Sequence, residues 1–190
     1  MALVILDRDG VINFDSDNYI RSLGDWSPIP GSIEAIASLS RAGYRVAVAT
    51  NQSGLGRGYF DLDDLEAIHA RLNQLVVEAG GELAGIFYCP HLPDAGCECR
   101  KPAVGLVRAI ERELGESAHG APFVGDSLKD LQAARAAGCL PMLVKTGKGE
   151  GTLATLKGDS PGLENPDDVP VFENLAAACR SILDQAPLEQ

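Results

Sequence analysis

Two aspartates stand two positions apart in Asp7-Arg8-Asp9-Gly10, directly after the apolar run Leu3 to Leu6. A carboxylate can attack phosphorus and carry the phosphoryl group as an aspartyl-phosphate. A second carboxylate beside it can protonate the leaving oxygen and later activate water. Two anions that meet a phosphate need a counter-charge, and a hard divalent cation such as Mg2+ prefers carboxylate oxygen, water and phosphate. Asp7 is therefore a candidate nucleophile and Asp9 its candidate acid/base partner, with Gly10 letting the chain turn sharply behind them. Asp and Gly also end strands in ordinary turns, so the tetrapeptide alone leaves a structural role equally open.

Three further stretches fit the same chemistry. Thr50-Asn51-Gln52-Ser53-Gly54 offers hydroxyls, amides and backbone N–H groups of the kind that hold phosphoryl oxygens. Arg100-Lys101-Pro102 offers two cations on a chain stiffened by proline. Gly125-Asp126-Ser127, with Asp130 beyond it, adds carboxylates. One of these can complete a metal site, while Asp130 can equally cap a following helix. Each stretch taken singly also occurs in ordinary loops.

A fourth pattern is metal-like. Cys89-Pro90-His91 and Cys97-Glu98-Cys99 place three thiols and one imidazole within eleven positions. That donor set suits a tetrahedral Zn2+ of the closed, structural type. The intervening Leu92 to Gly96 has no evident core of its own, and a metal would staple it. Free thiols or a lone disulfide are the alternatives. Cys139 and Cys179 lie on apolar backgrounds and read as small buried residues. His69, inside a helical pattern, reads as a surface or flank residue, and His119 has no visible partner; neither is a candidate for catalysis.

The elements that must position these groups follow from periodicity. Short apolar runs at Leu3 to Leu6, Arg45 to Ala49, Gly85 to Tyr88, Ala121 to Val124 and Pro141 to Lys145 read as buried strands. Between them, Ser32 to Ala42, Asp61 to Ala79, Val104 to Leu114 and Leu128 to Ala137 read as amphipathic helices, with Gly43, Gly115 and Gly138 reading as stops. After Gly147 the pattern weakens: Gly158 to Asp168 reads as a loop, and Val171 to Leu183 as a short strand and closing helix. Such alternation predicts an α/β fold, a Rossmann-like parallel sheet with helices on both faces. The polar signatures sit just past the ends of successive strands, so they converge on one rim, where open α/β sheets bind ligands.

The whole chain has 190 residues, 45% of them hydrophobic, and a formal net charge of −11. The length fits one domain, residues 1–190, with a zinc loop at 89–99 and no large cap domain. The acidic balance disfavours a nucleic-acid surface. No apolar run is long enough for a membrane span, and none reads as an export signal. A cytoplasmic monomer acting on a small phosphorylated molecule is the expectation.

The order and strand-end placement of Asp7/Asp9, Thr50, Lys101 and Asp126/Asp130 resemble the haloacid dehalogenase-type phosphatases. The resemblance implies a nucleophile at Asp7, an acid/base at Asp9, phosphoryl stabilisation by Thr50 and Lys101, and Mg2+ held by Asp7, Asp9 and Asp126. With the Cys89, His91, Cys97 and Cys99 loop, the chain resembles two related groups, the heptose-1,7-bisphosphate 7-phosphatases of lipopolysaccharide core biosynthesis and the histidinol-phosphate phosphatases. Asp7 to Asn13, Thr50 to Phe60 and Leu143 to Lys148 look like the heptose group; the short span Leu92 to Gly96 looks like the histidinol group. The first resemblance implies substrate contacts from Arg8, Asp15, Asn18, Tyr19, Asn51, Gln52, Ser53, Arg57 and Arg100, the last meeting a second phosphate. A catalytically silent binding module would be the reading of another class, against which stands the presence of every catalytic residue type.

Overall fold

The computed structural model describes residues 2–159 and 162–185. The order is β1 (Leu3–Leu6), α1 (Ser32–Arg41), β2 (Arg45–Asn51), α2 (Ser53–Gly56), α3 (Leu62–Glu78), β3 (Gly85–Cys89), α4 (Gly105–Leu114), β4 (Pro122–Gly125), α5 (Leu128–Ala136), β5 (Leu140–Val144), α6 (Gly149–Leu156), β6 (Val171–Phe172) and α7 (Leu175–Gln185). All strand pairs are parallel, in the order β3-β2-β1-β4-β5-β6.

β1 is buried along its whole length because its two faces serve two cores. Val4 and Leu6 join one cluster with Ile36, Leu39, Ile68, Leu72 and Ile182, drawn from α1, α3 and α7. Leu3 and Ile5 join the other with Leu106, Val107, Ile110 and Ala133, drawn from α4 and α5. This period-2 division is what a central parallel strand requires. Each such side chain contributes about 1.5–3 kcal/mol by leaving water.

Helix starts follow local chemistry. Asp61 and Asp64 form a capping box at α3, with Asp61 Oδ1 accepting from the Asp64 N–H at 2.9 Å and Asp64 Oδ2 from the Asp61 N–H at 3.1 Å. Two helices depart from the sequence expectation. α2 and α6 carry two glycines each and little apolar periodicity, so propensity gives no signal for them. α6 is held by tertiary bonds instead: the Thr152 hydroxyl donates to the Asp126 carbonyl at 2.8 Å.

The chain builds outward from β1 to β3, then crosses to β4 on the other side of β1. The reversal of direction beside β1 opens a crevice at the carboxyl ends of the strands. All four polar signatures point to that edge. No helix among the described residues is long and apolar enough to cross a membrane.

Candidate active site

A cleft of about 440 Å³ opens at this edge. Its lining includes Asp7 after β1, Thr50 and Asn51 at the end of β2, Arg100 and Lys101 before α4, and Asp126 and Asp130 around the start of α5. The turns that carry these groups are tied together. Thr146 Oγ1 donates to the Gly10 carbonyl at 2.6 Å, and the Lys148 N–H to Asp126 Oδ2 at 2.8 Å. Gly10 (φ 82°) and Gly147 (φ 58°) both lie against Asp126, and a Cβ on either would fall on its Oδ2. Only glycine leaves that carboxylate its place.

Lys101 is the central cation. It is 2% exposed, and its ammonium lies 2.8 Å from Asp7 Oδ1, 2.6 Å from Asp130 Oδ1 and 2.8 Å from the Ala49 carbonyl. Asn51 fixes its backbone, accepting from the Lys101 N–H at 3.0 Å and donating to the Lys101 carbonyl at 3.1 Å. The Lys101–Pro102 bond is cis. Burial works against the charged lysine, but Asp130 and Asp7 outweigh it and hold the ammonium well above its ordinary range. Burial, then Asp130, push the Asp7 carboxyl well above the usual carboxylate range, against the pull of Lys101. The same two causes push Asp126 up to about 7.

Of the two alternatives that its sequence position left open, Asp130 takes up the helix cap, and it adds a contact with Lys101. Its Oδ2 accepts from the Ser127 N–H at 3.0 Å and hydroxyl at 2.6 Å, capping α5, while Oδ1 faces Lys101. Asp7, Asp126 and Asp130 bring carboxylate oxygens within 4.8 Å of one another, a set that could hold a cation. Carboxylate oxygens so grouped are the donors that Mg2+ prefers, so the donor set fits Mg2+.

Asp9, expected beside Asp7 as a metal ligand, is turned elsewhere. Its Oδ1 accepts from Arg8 Nε at 2.9 Å, Arg8 NH2 at 2.8 Å and Asn13 Nδ2 at 2.9 Å; its Oδ2 accepts from Arg8 NH2 at 3.0 Å and Gln52 Nε2 at 2.8 Å. Burial favours the neutral acid, yet Arg8, Asn13 and Gln52 together hold the carboxyl below its usual range. With its carboxylate so engaged, Asp9 stands outside the carboxylate cluster of Asp7, Asp126 and Asp130.

The other expected substrate contacts divide. Asp15, Tyr19, Asn51, Gln52, Ser53 and Arg100 line the cleft. Arg8 does not: it is 0% exposed and lies beneath Asp9, where the guanidinium is spent on the carboxylate. Asn18 and Arg57 are exposed and outside the lining, Arg57 because it closes the short helix α2 on its solvent side. Two residues were missed. Lys148 lines the cleft and pairs with Asp15 at 3.1 Å; its place in Lys145-Thr146-Gly147-Lys148, just past a strand, was the available signal. His69, expected as a surface or flank residue, is a half-buried flank residue of α3, but its Nε2 lies 3.3 Å from Arg8 NH1, a contact across 61 positions that no local pattern announces.

The Cys/His loop closes on itself. Cys89 Sγ lies 3.5 Å from His91 Nδ1, 3.6 Å from Cys97 Sγ and 3.2 Å from Cys99 Sγ; Cys99 Sγ lies 3.2 Å from His91 Nδ1 and 3.6 Å from Cys97 Sγ. Zn–S and Zn–N bonds of ordinary length would put tetrahedral ligands about 3.6–3.8 Å apart. The sulfurs are far beyond disulfide distance, and all are free thiols. The four donors fit Zn2+. Arg100 NH1 reaches the His91 carbonyl at 3.5 Å, which links the loop to the cleft.

Comparison with known proteins agrees with this geometry. A family model described as HAD-hydrolase-like matches residues 98–178. A protein of Pseudomonas aeruginosa named D-glycero-β-D-manno-heptose-1,7-bisphosphate 7-phosphatase is 57% identical, over 96% of this chain and 98% of that one. A protein of the same name from Bordetella bronchiseptica is 50% identical, over 98% of this chain and 100% of that one. The crystal structure of the B. bronchiseptica D,D-heptose 1,7-bisphosphate phosphatase, complexed with magnesium and phosphate, superposes with a TM-score of 0.90 at 49% identity, covering 98% of this chain and 100% of that one. The Burkholderia thailandensis D,D-heptose 1,7-bisphosphate phosphatase superposes with a TM-score of 0.73 at 39% identity, covering 97% and 100%.

Proposed function

The chain belongs to the D-glycero-β-D-manno-heptose-1,7-bisphosphate 7-phosphatases, within the haloacid dehalogenase-like hydrolases, and on that premise we propose how its own residues remove the C7 phosphate of a heptose bisphosphate. The activity class is phosphoric monoester hydrolysis. Asp7 and Asp126 would hold Mg2+ with their carboxylates, Asp9 adding its backbone carbonyl. When bound, the ion offsets charge among the nucleophile, the carboxylates and the phosphoryl oxygens.

Asp7 attacks phosphorus as the bond to the C7 oxygen breaks, and Asp9 gives that oxygen its proton. The free site holds Asp9 ionised, so its proton is taken up as the phosphate dianion enters, because a second negative charge nearby favours the neutral acid. The proton would go to Oδ2, which has fewer donors than Oδ1, and would displace either Arg8 NH2 or Gln52 Nε2 there. Asp9, now a carboxylate, then takes a proton from the water that attacks the aspartyl-phosphate; phosphate departs and Asp7 is restored. Lys101 and Thr50 meet the phosphoryl oxygens, positioned in advance so that little reorganisation is needed. Arg100 and Lys148, at the sides of the cleft, suit the second phosphate of the substrate.

We assign Zn2+ to Cys89, His91, Cys97 and Cys99 as a structural ion that fixes the turn carrying Arg100 and Lys101. A cytoplasmic monomer is part of the same reading. The product keeps its anomeric phosphate, as a precursor for sugar activation on the way to the lipopolysaccharide core would.

The observation that carries this reading is the contact of Lys101 with Asp7 in a cleft that Asp9 also lines. Direct comparison of heptose 1,7-bisphosphate with histidinol phosphate, with and without Mg2+, tests it. Mg2+-dependent preference for the heptose ester is expected; preference for histidinol phosphate would overturn the substrate.

A further inference from the structure

Arg8 is fully buried beside the reacting carboxylates, and each end of its guanidinium is occupied. Nε and NH2 donate to Asp9, while NH1 lies 3.3 Å from His69 Nε2. Arginine has donors only and does not lose its proton in proteins. His69 must therefore accept through Nε2, which fixes the imidazole as the neutral tautomer protonated at Nδ1. Its setting favours that form, since burial and the Arg8 charge together bring its pKa down to about 4 against the smaller pull of Asp9. Tyr88, with its ring centroid 5.8 Å from that of His69, packs beside it. The chain of contacts runs from α3 through Arg8 to both oxygens of Asp9.

We propose that His69 is a positioning residue for catalysis: by accepting from Arg8 NH1 it locks the guanidinium plane that aims Asp9 at the leaving oxygen. Without that acceptor, NH1 is left in a site with no exposure, and a buried donor without a partner is costly enough for the guanidinium to turn in search of one. Asp9 shares two of the guanidinium's nitrogens, so it turns with it. In the first half-reaction the effect is confined to the proton that Asp9 supplies; the later activation of water by Asp9 is common to every ester and is kept out of the readout. Asp7, Lys101 and the carboxylate cluster do not touch Arg8's side chain or His69.

The inference rests on Asp9 being the general acid, and its test separates the two. An alkyl or sugar phosphate needs a proton on its leaving oxygen; p-nitrophenyl phosphate, with a stable phenolate leaving group, does not. Release of the leaving group from both esters in a single turnover, before the aspartyl-phosphate is hydrolysed, is measured for the intact protein, for His69→Leu, for His69→Gln, whose amide oxygen can accept from Arg8, and for Asp9→Asn. In His69→Leu, the rate of leaving-group release from the heptose ester falls about tenfold or more, a part of the range that general acid–base catalysis spans. Its half-saturating concentration is kept, and the rate of phenolate release from p-nitrophenyl phosphate stays within about twofold, since that leaving group needs no proton. His69→Gln restores most of the loss. The ratio of the two rates is internal to one sample, so a partly unfolded variant does not disturb it. Equal loss on both esters, no loss on either, or a selective loss that glutamine fails to restore would overturn the role of His69. Normal turnover of the heptose ester by Asp9→Asn would instead overturn the acid/base assignment beneath it.

Discussion

The Lys101 ammonium lies 2.8 Å from Asp7 Oδ1 and is shared with Asp130 at 2.6 Å. The group expected to attack phosphorus and the cation expected to receive the phosphoryl charge are thus already in contact, buried and satisfied, before any substrate arrives.

Replacing that cation tests the arrangement. Lys101→Met leaves two buried carboxylates without their partner, a kind of change that costs about 3–5 kcal/mol. Protonation relieves such carboxylates, so the loss of stability should be greater at pH 8 than at pH 5, read from urea melts. Turnover should fall about a hundredfold or more, as when a preorganised stabilising group is removed.

Magnesium and protons should compete. Asp126, at about 7, is raised above its unfolded value of 3.8. Between those values the folded, metal-free protein binds more protons than the unfolded chain, so this group makes stability fall as pH rises through the window. Mg2+ ligates the deprotonated form. The rise in melting temperature produced by a fixed Mg2+ concentration should accordingly grow from pH 5 to pH 8. An Mg2+ effect that is flat with pH would remove Asp126 from the ligand set.

Gly10→Ala puts a Cβ on Asp126 Oδ2 at a positive φ. The carboxylate must move, and Mg2+ affinity should weaken by about tenfold or more, the usual scale for a displaced support of a metal ligand. Titration of Mg2+ against melting temperature measures it.

The zinc assignment predicts coupled losses. Cys97→Ser with Cys99→Ser should remove bound zinc, measured by elemental analysis, and lower turnover by loosening the Arg100–Lys101 turn. Full activity in the zinc-free variant would leave the loop without a role in the cleft.

Much of this site is visible in one dimension because its parts are local. Each signature follows a strand, and parallel strands bring their carboxyl ends to one edge whatever lies between them. The Cys/His spacing is equally local, its four donors lying within eleven positions. What stayed hidden depends on packing. His69 meets Arg8 only because α3 lies against the β1 face, and Asp9 turns from the metal cluster because Arg8, Asn13 and Gln52 surround it. α6 escaped notice because its order comes from Asp126 rather than from its own residues.

The most direct measurement is a rapid acid quench during turnover of heptose 1,7-bisphosphate labelled in the C7 phosphate, followed by peptide mapping. The label should appear on the peptide bearing Asp7, and be absent in Asp7→Asn together with turnover. Label on another residue, or normal turnover by Asp7→Asn, would contradict the account.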